Sequence, residues 1–370
     1  MLTLSILFAL VALLAFANGA NDNCKGVATL VGFGAARPAS ALLWAAVTTA
    51  AGSVVSFWLA TGLIRSFSGG GLFADGTTLP ASFFVAVLTG AAAWVLFATF
   101  AGLPVSTTHA ITGGLCGAGA GAFGATTVQW AIAGQKFAVP LALSPLLSLA
   151  AVYALAWPVA VVVGRWAARC VCIAPLQPAA TGAASTAAPL PVLVSGTSTA
   201  CDAAGATGVS GASVANGVHW LTSGMVGFAR GWNDAPKIAA LSVGVLVAQG
   251  IDGATGVAFG IVTVAMAAGG LLSGRKVLDT LSRRVTTMPL PESLAASFIT
   301  ATLVSLASWH ALPVSTTQVS TGAIVGVGLK HDPRAVCWNI VTHIVLSWLV
   351  TLPVAALVAA ATAALFSPPR

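Results

Sequence analysis

The sequence predicts an all-α polytopic membrane protein, and two observations support that fold class. Of the 370 residues, 58% are hydrophobic and only 6% are charged, whereas an average soluble domain carries about 25% charged residues. The apolar runs are continuous and approach the length of a membrane-spanning helix, without the alternation of an outer-membrane β-barrel. The composition therefore excludes a disordered chain, a disulfide-rich scaffold and an ordinary soluble domain.

Long apolar segments define the candidate spans, and shorter glycine-rich segments lie between them. The glycine-rich segments lie near 26–36, 109–124 and 319–329. Since they are too short to cross a bilayer, they favour half-spans or re-entrant hairpins. The apolar segments lie near 2–17, 40–64, 81–102, 137–163, 217–229, 238–250, 253–273, 293–311 and 335–361.

The stretch 164–215 differs in composition from the segments on either side. Ala, Gly, Ser, Thr and Pro dominate it, and such a low-complexity composition is typical of a linker without a packed core. We therefore expect a first transmembrane repeat at 1–163, a central linker at 164–215 and a second transmembrane repeat at 216–370.

An internal repeat relates the two transmembrane parts. Asn21-Asp22 returns as Asn233-Asp234 at an offset of 212 residues, and the Leu-Pro-Val-Ser-Thr-Thr motif at 103–108 returns at 312–317 at an offset of 209. Two motifs that recur in the same order at nearly one offset indicate a tandem duplication.

The charges of two equivalent loops predict how the repeats are oriented. The connection at 65–80 has no net charge, because Arg65 is balanced by Asp75, whereas its counterpart at 275–291 carries four basic residues and one acidic residue. By the positive-inside rule the second loop is cytoplasmic and the first lies outside. Equivalent loops on opposite faces predict two inverted-topology repeats with broken helices and re-entrant hairpins, the usual plan of secondary transporters.

The Asn-Asp motifs are candidate cation sites. Asp22 and Asp234 lie where an apolar helix is interrupted by Asn with Gly or Pro. A carboxylate inside the membrane is energetically costly, so each is a candidate functional residue. With the amide oxygens of Asn21 and Asn233 and the carbonyls of a broken helix, they would form a hard-oxygen cation site. The alternative is that each motif caps a helix at the membrane surface.

A lysine follows each aspartate by three residues, at Lys25 and Lys237. In a helical turn the two side chains share a face and can pair, and an ammonium beside an oxygen-lined site can take the position of a sodium ion. This pattern favours proton coupling over sodium coupling. The alternative is that both lysines extend to a membrane face. Arg230 is open to the same two interpretations, extension to the headgroups or approach to an anion.

The Pro-Val-Ser-Thr-Thr motifs are candidate anion sites. Pro104 and Pro313 suit the first turn of a helix, and a helix that starts inside the membrane presents free N–H groups and its positive dipole end. The alternative is that the hydroxyls bond back to helix carbonyls. Gly113, Gly117 and Gly121 are expected to pack against another helix. The motif hydroxyls belong to Ser106, Thr107, Thr108, Ser315, Thr316 and Thr317.

The sequence gives little support to an enzyme. It contains five histidines but no His-Glu-x-x-His or comparable metal spacing, and no nucleophile beside a base is recognisable. The six cysteines form no Cys-x-x-Cys pair, so we expect inert thiols. The sequence contains no basic patch with interleaved aromatic residues, so it gives no indication of nucleic-acid binding.

Asn-Asp followed by Pro-Val-Ser-Thr-Thr-His, repeated in two halves around a variable central stretch, resembles the inorganic phosphate transporter (PiT) family. The resemblance covers the chain apart from the linker. It implies that Asn21, Asp22, Asn233 and Asp234 serve ion and substrate binding, and that the six motif hydroxyls cradle the anion. Gln318 stands where relatives commonly have His, so His109 has no symmetric partner.

The resemblance implies a symporter that imports inorganic phosphate with H+ or Na+ across the cytoplasmic (inner or plasma) membrane, with no cofactor and no metal beyond a sodium ion. Its partners would be phosphate and the lipid bilayer, and a homodimer stays open. The alternatives are a sulfate or other oxyanion permease of the same fold and a passive anion channel.

Overall fold

The computed structural model describes residues 2–74, 77–175, 191–197, 199, 201, 207–249, 251 and 254–366. Asp75 of the first loop and much of the stretch 164–215 lie outside these residues. In chain order the α-helices are α1 (Leu2–Asp22), α2 (Ala28–Phe33), α3 (Pro38–Leu59), α4 (Thr61–Phe67), α5 (Ala81–Phe100), α6 (Thr107–Phe123), α7 (Trp130–Ile132), α8 (Val139–Ala167), α9 (Gly211–Ala248), α10 (Ala254–Ser273), α11 (Arg275–Asp279), α12 (Leu290–Trp309), α13 (Thr316–His331) and α14 (Trp338–Phe366).

Short helical turns of other types join some of these helices. A π-helical segment precedes α8 at Ala133–Ala138 and another follows α11 at Thr280–Arg284. The 3-10 turns lie at Asn23–Gly26, Ala125–Thr127 and Pro333–Ala335.

The chain is a multi-pass helical membrane protein. Within the described residues, seven helices are long and apolar enough to cross a membrane. The candidate spans are Leu2–Gly26, Pro38–Leu59, Ala81–Phe100, Trp130–Ala167, Thr255–Ser273, Leu290–Trp309 and Trp338–Phe366.

The helix break predicted at the first Asn-Asp motif is present, and the one predicted at the second is wrong. After α1 the chain passes through the 3-10 turn Asn23–Gly26 before α2 begins, whereas α9 runs without interruption over 38 residues with Pro236 inside it. Gly26 disfavours helix in the first half. In the second half a run of strong helix formers, Ala239-Ala240-Leu241, follows the proline and extends the helix past it.

Two helical hairpins have the same construction. One joins α5 to α6 and the other joins α12 to α13 through short non-helical segments. The helix starts obey the offset of 209 found in the sequence. Ser106 and Ser315 are the N-caps of the second helices, with nearly identical backbone angles (φ −100°, ψ 111° and φ −100°, ψ 113°). The duplication therefore extends to backbone geometry.

The glycines of α6 are packing residues, as predicted. A Cβ atom at Gly113 would lie 2.3 Å from the carbonyl oxygen of Leu352 on α14, and one at Gly117 would lie 2.1 Å from that of Ala356. Gly121 meets Ala360 in the same way, at 2.8 Å. Only glycine permits this approach of two backbones.

Among the described residues between α8 and α9, three short strands occur. The strands β1 (Arg169–Pro175), β2 (Pro191–Thr197) and β3 (Thr207–Ser210) form an antiparallel sheet in the order β2-β1-β3. Cys170 and Cys201 form a disulfide, with Cα atoms 6.6 Å apart, so the expectation of inert thiols is wrong for these two residues. They are 31 positions apart, and sequence spacing alone does not reveal such a pair.

Candidate functional site

The two duplicated motifs meet in one buried group of polar side chains, which we call the central cluster. The end of α1 with the 3-10 turn after it, the middle of α9 and the first residues of α6 and α13 contribute to it. Each of its members is no more than 4% exposed. The central cluster consists of Asn18, Asn21, Asp22, Lys25, Thr107, Thr108, Arg230, Asn233, Asp234, Lys237, Thr316 and Thr317.

Each aspartate binds the hydroxyl of its own hairpin and the lysine that follows it. Asp22 accepts hydrogen bonds from Asn18 Nδ2 at 2.7 Å and Thr107 Oγ1 at 3.2 Å, and it forms an ion pair with Lys25.

Asp234 repeats this arrangement in the second half. It accepts a hydrogen bond from Thr316 Oγ1 at 3.4 Å and pairs with Lys237 at 3.3 Å. Both carboxylates are thus compensated by a cation, as buried charges require.

The two lysines join the halves. Lys25 Nζ donates to Asn21 Oδ1 at 3.1 Å, to the Val105 carbonyl at 3.1 Å and to the hydroxyl of Thr317, which belongs to the opposite hairpin.

Lys237 crosses in the other direction. Its Nζ donates to the Val314 carbonyl of its own half and to Thr108 Oγ1 of the first half, both at 2.8 Å. Each ammonium therefore lies among a carboxylate, a hairpin carbonyl and a hydroxyl from the other repeat.

The asparagines of the motifs hold the hairpin tips. Asn21 Nδ2 donates to Thr99 Oγ1 and to the Leu103 carbonyl, both at 3.0 Å, and Asn21 Oδ1 accepts from Val105 N at 3.0 Å. Asn233 Nδ2 donates to the Val314 carbonyl at 3.2 Å in the second half. These amides position the hairpins against α1 and α9.

The serines and threonines of the hairpins have different partners. Ser106 Oγ accepts from His109 N at 3.1 Å and Ser315 Oγ accepts from Gln318 N at 3.3 Å, so both serines are helix N-caps. Thr108 Oγ1 donates to the Val314 carbonyl and Thr317 Oγ1 donates to the Val105 carbonyl, at 3.2 and 2.7 Å. The second threonines therefore connect the hairpin tips to each other.

Arg230 is a buried member of the central cluster, so the interpretation in which it extends to the headgroups is excluded. Its guanidinium donates to the side-chain oxygens of Asn18, Asn23 and Thr49, the last at 3.1 Å, and its Nε lies 3.7 Å from Asp234. The offset of 212 makes Arg230 the counterpart of Asn18, and sequence analysis missed this equivalence. The same offset that matched the motifs would have identified this pair.

Basic side chains outnumber acidic ones in the central cluster. Lys25, Lys237 and Arg230 face Asp22 and Asp234, and all five are buried. Three cations against two carboxylates leave one positive charge, which suits the binding of an anion.

His109 lies outside the central cluster. Its side chain lines a cavity of about 760 Å³ between the hairpins and the helices α8 and α14, together with its counterpart Gln318. The walls of this cavity are mostly apolar side chains such as Leu141 and Leu349.

A multi-pass helical fold that buries a charged cluster is the plan of a membrane transport protein. A profile of the phosphate transporter family matches residues 18–359, and the chain belongs to that family.

Individual relatives agree with this assignment. The chain is 29% identical over 394 residues to a Thermococcus kodakarensis protein named as a phosphate permease. This alignment covers 94% of this chain and 93% of the relative. It is 28% identical over 353 residues to a Rhizobium meliloti protein named as a low-affinity inorganic phosphate transporter. That alignment covers 93% of this chain and 91% of the relative. A solved structure titled "The sodium-dependent phosphate transporter" has a similar fold, with a TM-score of 0.77, 23% identity and 99% coverage of both chains.

Proposed function

We propose that this protein is a symporter that imports inorganic phosphate across the cytoplasmic membrane with a proton as the coupling cation. The observation that carries the proposal is the crossed pair of lysines. Each ammonium occupies an oxygen shell that joins an Asn-Asp motif to both hairpin tips. Such a shell of carboxylate, carbonyl and hydroxyl oxygens is also what a sodium ion would require.

The phosphate site in this proposal lies between the two hairpin tips. The N-termini of α6 and α13 supply free N–H groups and the positive dipole ends. The hydroxyls of Ser106, Thr107, Ser315 and Thr316 add hydrogen-bond donors, and Arg230 adds the excess positive charge. Asn21 and Asn233 line the same site by holding the tips, and Thr108 and Thr317 control how close the tips approach.

A proton completes the charge balance. The central cluster carries one positive charge, so a divalent phosphate would leave one negative charge among buried groups. An uncompensated buried charge is expensive, and one added proton cancels it. Lys25 and Lys237 already fill the cation positions beside Asp22 and Asp234. Little room is left there, and a proton needs less of it than a sodium ion does.

The proposed transport cycle is alternating access between two inverted repeats, at 1–163 and 216–370, with re-entrant hairpins and the stretch 164–215 as the connection. The loop at 275–291 is basic, which supports a cytoplasmic position for it. Movement of one repeat against the other would break the crossed contacts of one lysine at a time, either Lys25 with Thr317 or Lys237 with Thr108. A homodimer is compatible with this scheme.

Uptake by the purified protein in liposomes tests the proposal. Labelled phosphate and labelled sulfate are offered under an inward proton gradient and, separately, under an inward sodium gradient. We expect phosphate uptake driven by the proton gradient, with little uptake of sulfate. The matched variants Lys25→Ala and Lys237→Ala are expected to impair this uptake and to make it more dependent on sodium.

Three outcomes contradict the proposal. Strict sodium dependence in the parent protein, with both lysine variants normal, would exclude the lysine-based proton coupling. Preferential uptake of sulfate would identify an oxyanion permease of another specificity. Flux at channel-like rates without any cation gradient would identify a passive anion channel.

A further inference from the structure

A chain of polar side chains leads away from Lys25 in one direction. Thr29 Oγ1 lies 2.8 Å from Ser297 Oγ and 3.1 Å from His219 Nε2, and Ser223 Oγ lies 3.5 Å from Ser297 Oγ. All four side chains are buried, and His219 is 0% exposed. We call Thr29, Ser223, Ser297 and His219 the polar chain.

A small void connects the polar chain to Lys25. It is lined by Lys25, Thr29 and Ser297, with Thr300 and Ser320 completing its polar wall, and its volume is about 10 Å³. A volume of this size and several polar partners are what one bound water requires. Hydrogen-bonding groups are therefore continuous from the Lys25 ammonium to the His219 imidazole.

Within the described residues, the positions related to the polar chain by the repeat hold no such chain. At the repeat offsets, each polar residue corresponds to an apolar one, and these apolar residues form part of one core cluster in which each is 0% exposed. The counterparts of His219, Ser223, Thr29, Ser297, Thr300 and Ser320 are Leu7, Val11, Leu241, Leu88, Ala91 and Ile111.

This contrast argues against packing as the reason for the polar residues. The same positions of the same repeat fold with leucine, valine, alanine and isoleucine, so the fold does not require hydroxyls or an imidazole there. Buried hydroxyls contribute less to stability than apolar groups unless each is hydrogen-bonded. His219 Nδ1 is moreover buried without a hydrogen-bond partner among the described residues.

The outer end of the polar chain lies beside the basic loop. His219 lies against the ring of Phe33 at the end of α2, with 6.3 Å between ring centroids, and Phe33 is 39% exposed. A Cβ atom at Gly32 would lie 2.8 Å from the Ser282 carbonyl oxygen. The end of α2 thus contacts the loop at 275–291, which the positive-inside rule assigns to the cytoplasm.

The charged groups nearest to the polar chain in sequence are paired with residues outside it. Lys25 with Asp22 lies at its inner end. On α12, five residues before Ser297, Glu292 lies 3.7 Å from His331 of α13. Within the described residues no ion pair involves His219, whose ring contacts Thr29 Oγ1 and the Phe33 ring.

We propose that the polar chain is a proton path between Lys25 and the cytoplasmic face, a proposal that rests on the proton coupling proposed above. A proton leaves the Lys25 ammonium to the water in the void, and the water passes a proton to Ser297. Ser297 then passes its own proton to Thr29, and Thr29 passes one to His219 Nε2. His219 Nδ1, which is buried without a hydrogen-bond partner among the described residues, releases its proton to a water that enters beside Phe33. The N–H bond broken at Lys25 is re-formed with the coupling proton, so one proton is delivered and the Lys25 ammonium is restored.

Thr29 offers the sharpest test, because it lies in the middle of the path and outside the central cluster. Thr29→Val removes the hydroxyl with little change of shape, and Thr29→Ser keeps the hydroxyl. Ser56→Ala is a matched control, since the buried Ser56 hydroxyl donates to the Ser53 carbonyl of its own helix. His219→Leu places at this position the residue found at its counterpart.

Two assays on proteoliposomes separate proton movement from phosphate movement. The first measures phosphate-dependent proton entry with a pH dye under a proton gradient. The second measures phosphate exchange at equal pH, which needs no net proton release. For Thr29→Val and His219→Leu we expect proton-driven uptake to fall by about tenfold or more, in keeping with the contribution of positioned proton-transfer groups, while exchange stays near that of the parent. Thr29→Ser and Ser56→Ala should behave as the parent.

The outcomes distinguish this inference from the proposed function. Absence of phosphate-dependent proton entry in the parent would overturn proton coupling and the path with it. Proton entry in the parent that is unchanged in Thr29→Val and His219→Leu would overturn the path alone. An equal fall of exchange and uptake in both variants would show a structural role and would likewise overturn the path.

Discussion

The surroundings of Lys25 and Lys237 differ although their motifs are copies of each other. Lys25 contacts four oxygens and borders the void that leads to the polar chain. Lys237 contacts three oxygens, lies 5.8 Å from the centroid of the Phe67 ring and shares its aspartate with Arg230. The duplication thus preserved the oxygen contacts of the two ammonium groups, whereas the residues beyond those contacts diverged. In the proposed path the first site exchanges a proton with a membrane face, while the second holds fixed charge.

The largest expected effect separates the two aspartates. Asp234→Asn removes the carboxylate that faces both Arg230 and Lys237, whereas Asp22→Asn removes the carboxylate that pairs with Lys25. Breaking a buried ion pair costs about 3–5 kcal/mol. A lysine can release its proton and become neutral, but an arginine cannot. We therefore expect Asp234→Asn to lower the thermal unfolding temperature in detergent more than Asp22→Asn does. Equal losses, or a greater loss in Asp22→Asn, would contradict the assignment of fixed charge to the second half.

A smaller effect is expected when the two halves are made alike at one position. Arg230→Asn gives the second half the residue that Asn18 supplies in the first, and it removes the excess positive charge of the central cluster. A hydrogen bond with a charged group contributes about 1.5–3 kcal/mol, so the KM for phosphate should rise by about tenfold or more. Arg230→Lys retains the charge without the planar guanidinium and should give an intermediate KM. An unchanged KM in Arg230→Asn would show that this charge does not act on the anion.

The smallest effects are expected where the halves remain equivalent. Ser106→Ala and Ser315→Ala each remove the N-cap of a hairpin helix, and the two caps have the same backbone geometry. Loss of a serine cap costs about 1 kcal/mol, while replacement by glycine costs only a few tenths. We expect equal decreases in the free energy of unfolding for the two alanine variants and smaller ones for Ser106→Gly and Ser315→Gly. A large inequality between the alanine variants would mean that the hairpins are not equivalent.

Sequence reasoning recovered the features that depend on local pattern. The duplication and the packing role of Gly113 and Gly117 follow from spacing and from residue type. These properties are fixed by a few neighbouring residues, so they can be recognised in one dimension. A helix start was predicted in each hairpin, but Pro104 and Pro313 were placed in its first turn, whereas the helices begin after the N-caps Ser106 and Ser315, two residues further on.

The features that sequence reasoning missed depend on which distant segments meet. The offset identifies Thr108 and Thr317 as equivalent, but it does not tell that each binds the lysine of the other half. The contact of Arg230 with Asn18 and the disulfide of Cys170 likewise join residues far apart in the chain. The uninterrupted α9 was missed because proline was weighted more heavily than the helix formers that follow it.

The crossed contacts have a consequence for how such a protein could have arisen. Because Lys25 needs Thr317 and Lys237 needs Thr108, a polypeptide of one repeat could complete its sites only by pairing with a second copy. In the inverted arrangement proposed above, that copy would be inserted in the opposite orientation. In such a pair every residue would occur twice, so an arginine opposite an asparagine, or a polar chain opposite an apolar one, would be impossible. The unlike partners Asn18 and Arg230 therefore require two separately encoded repeats.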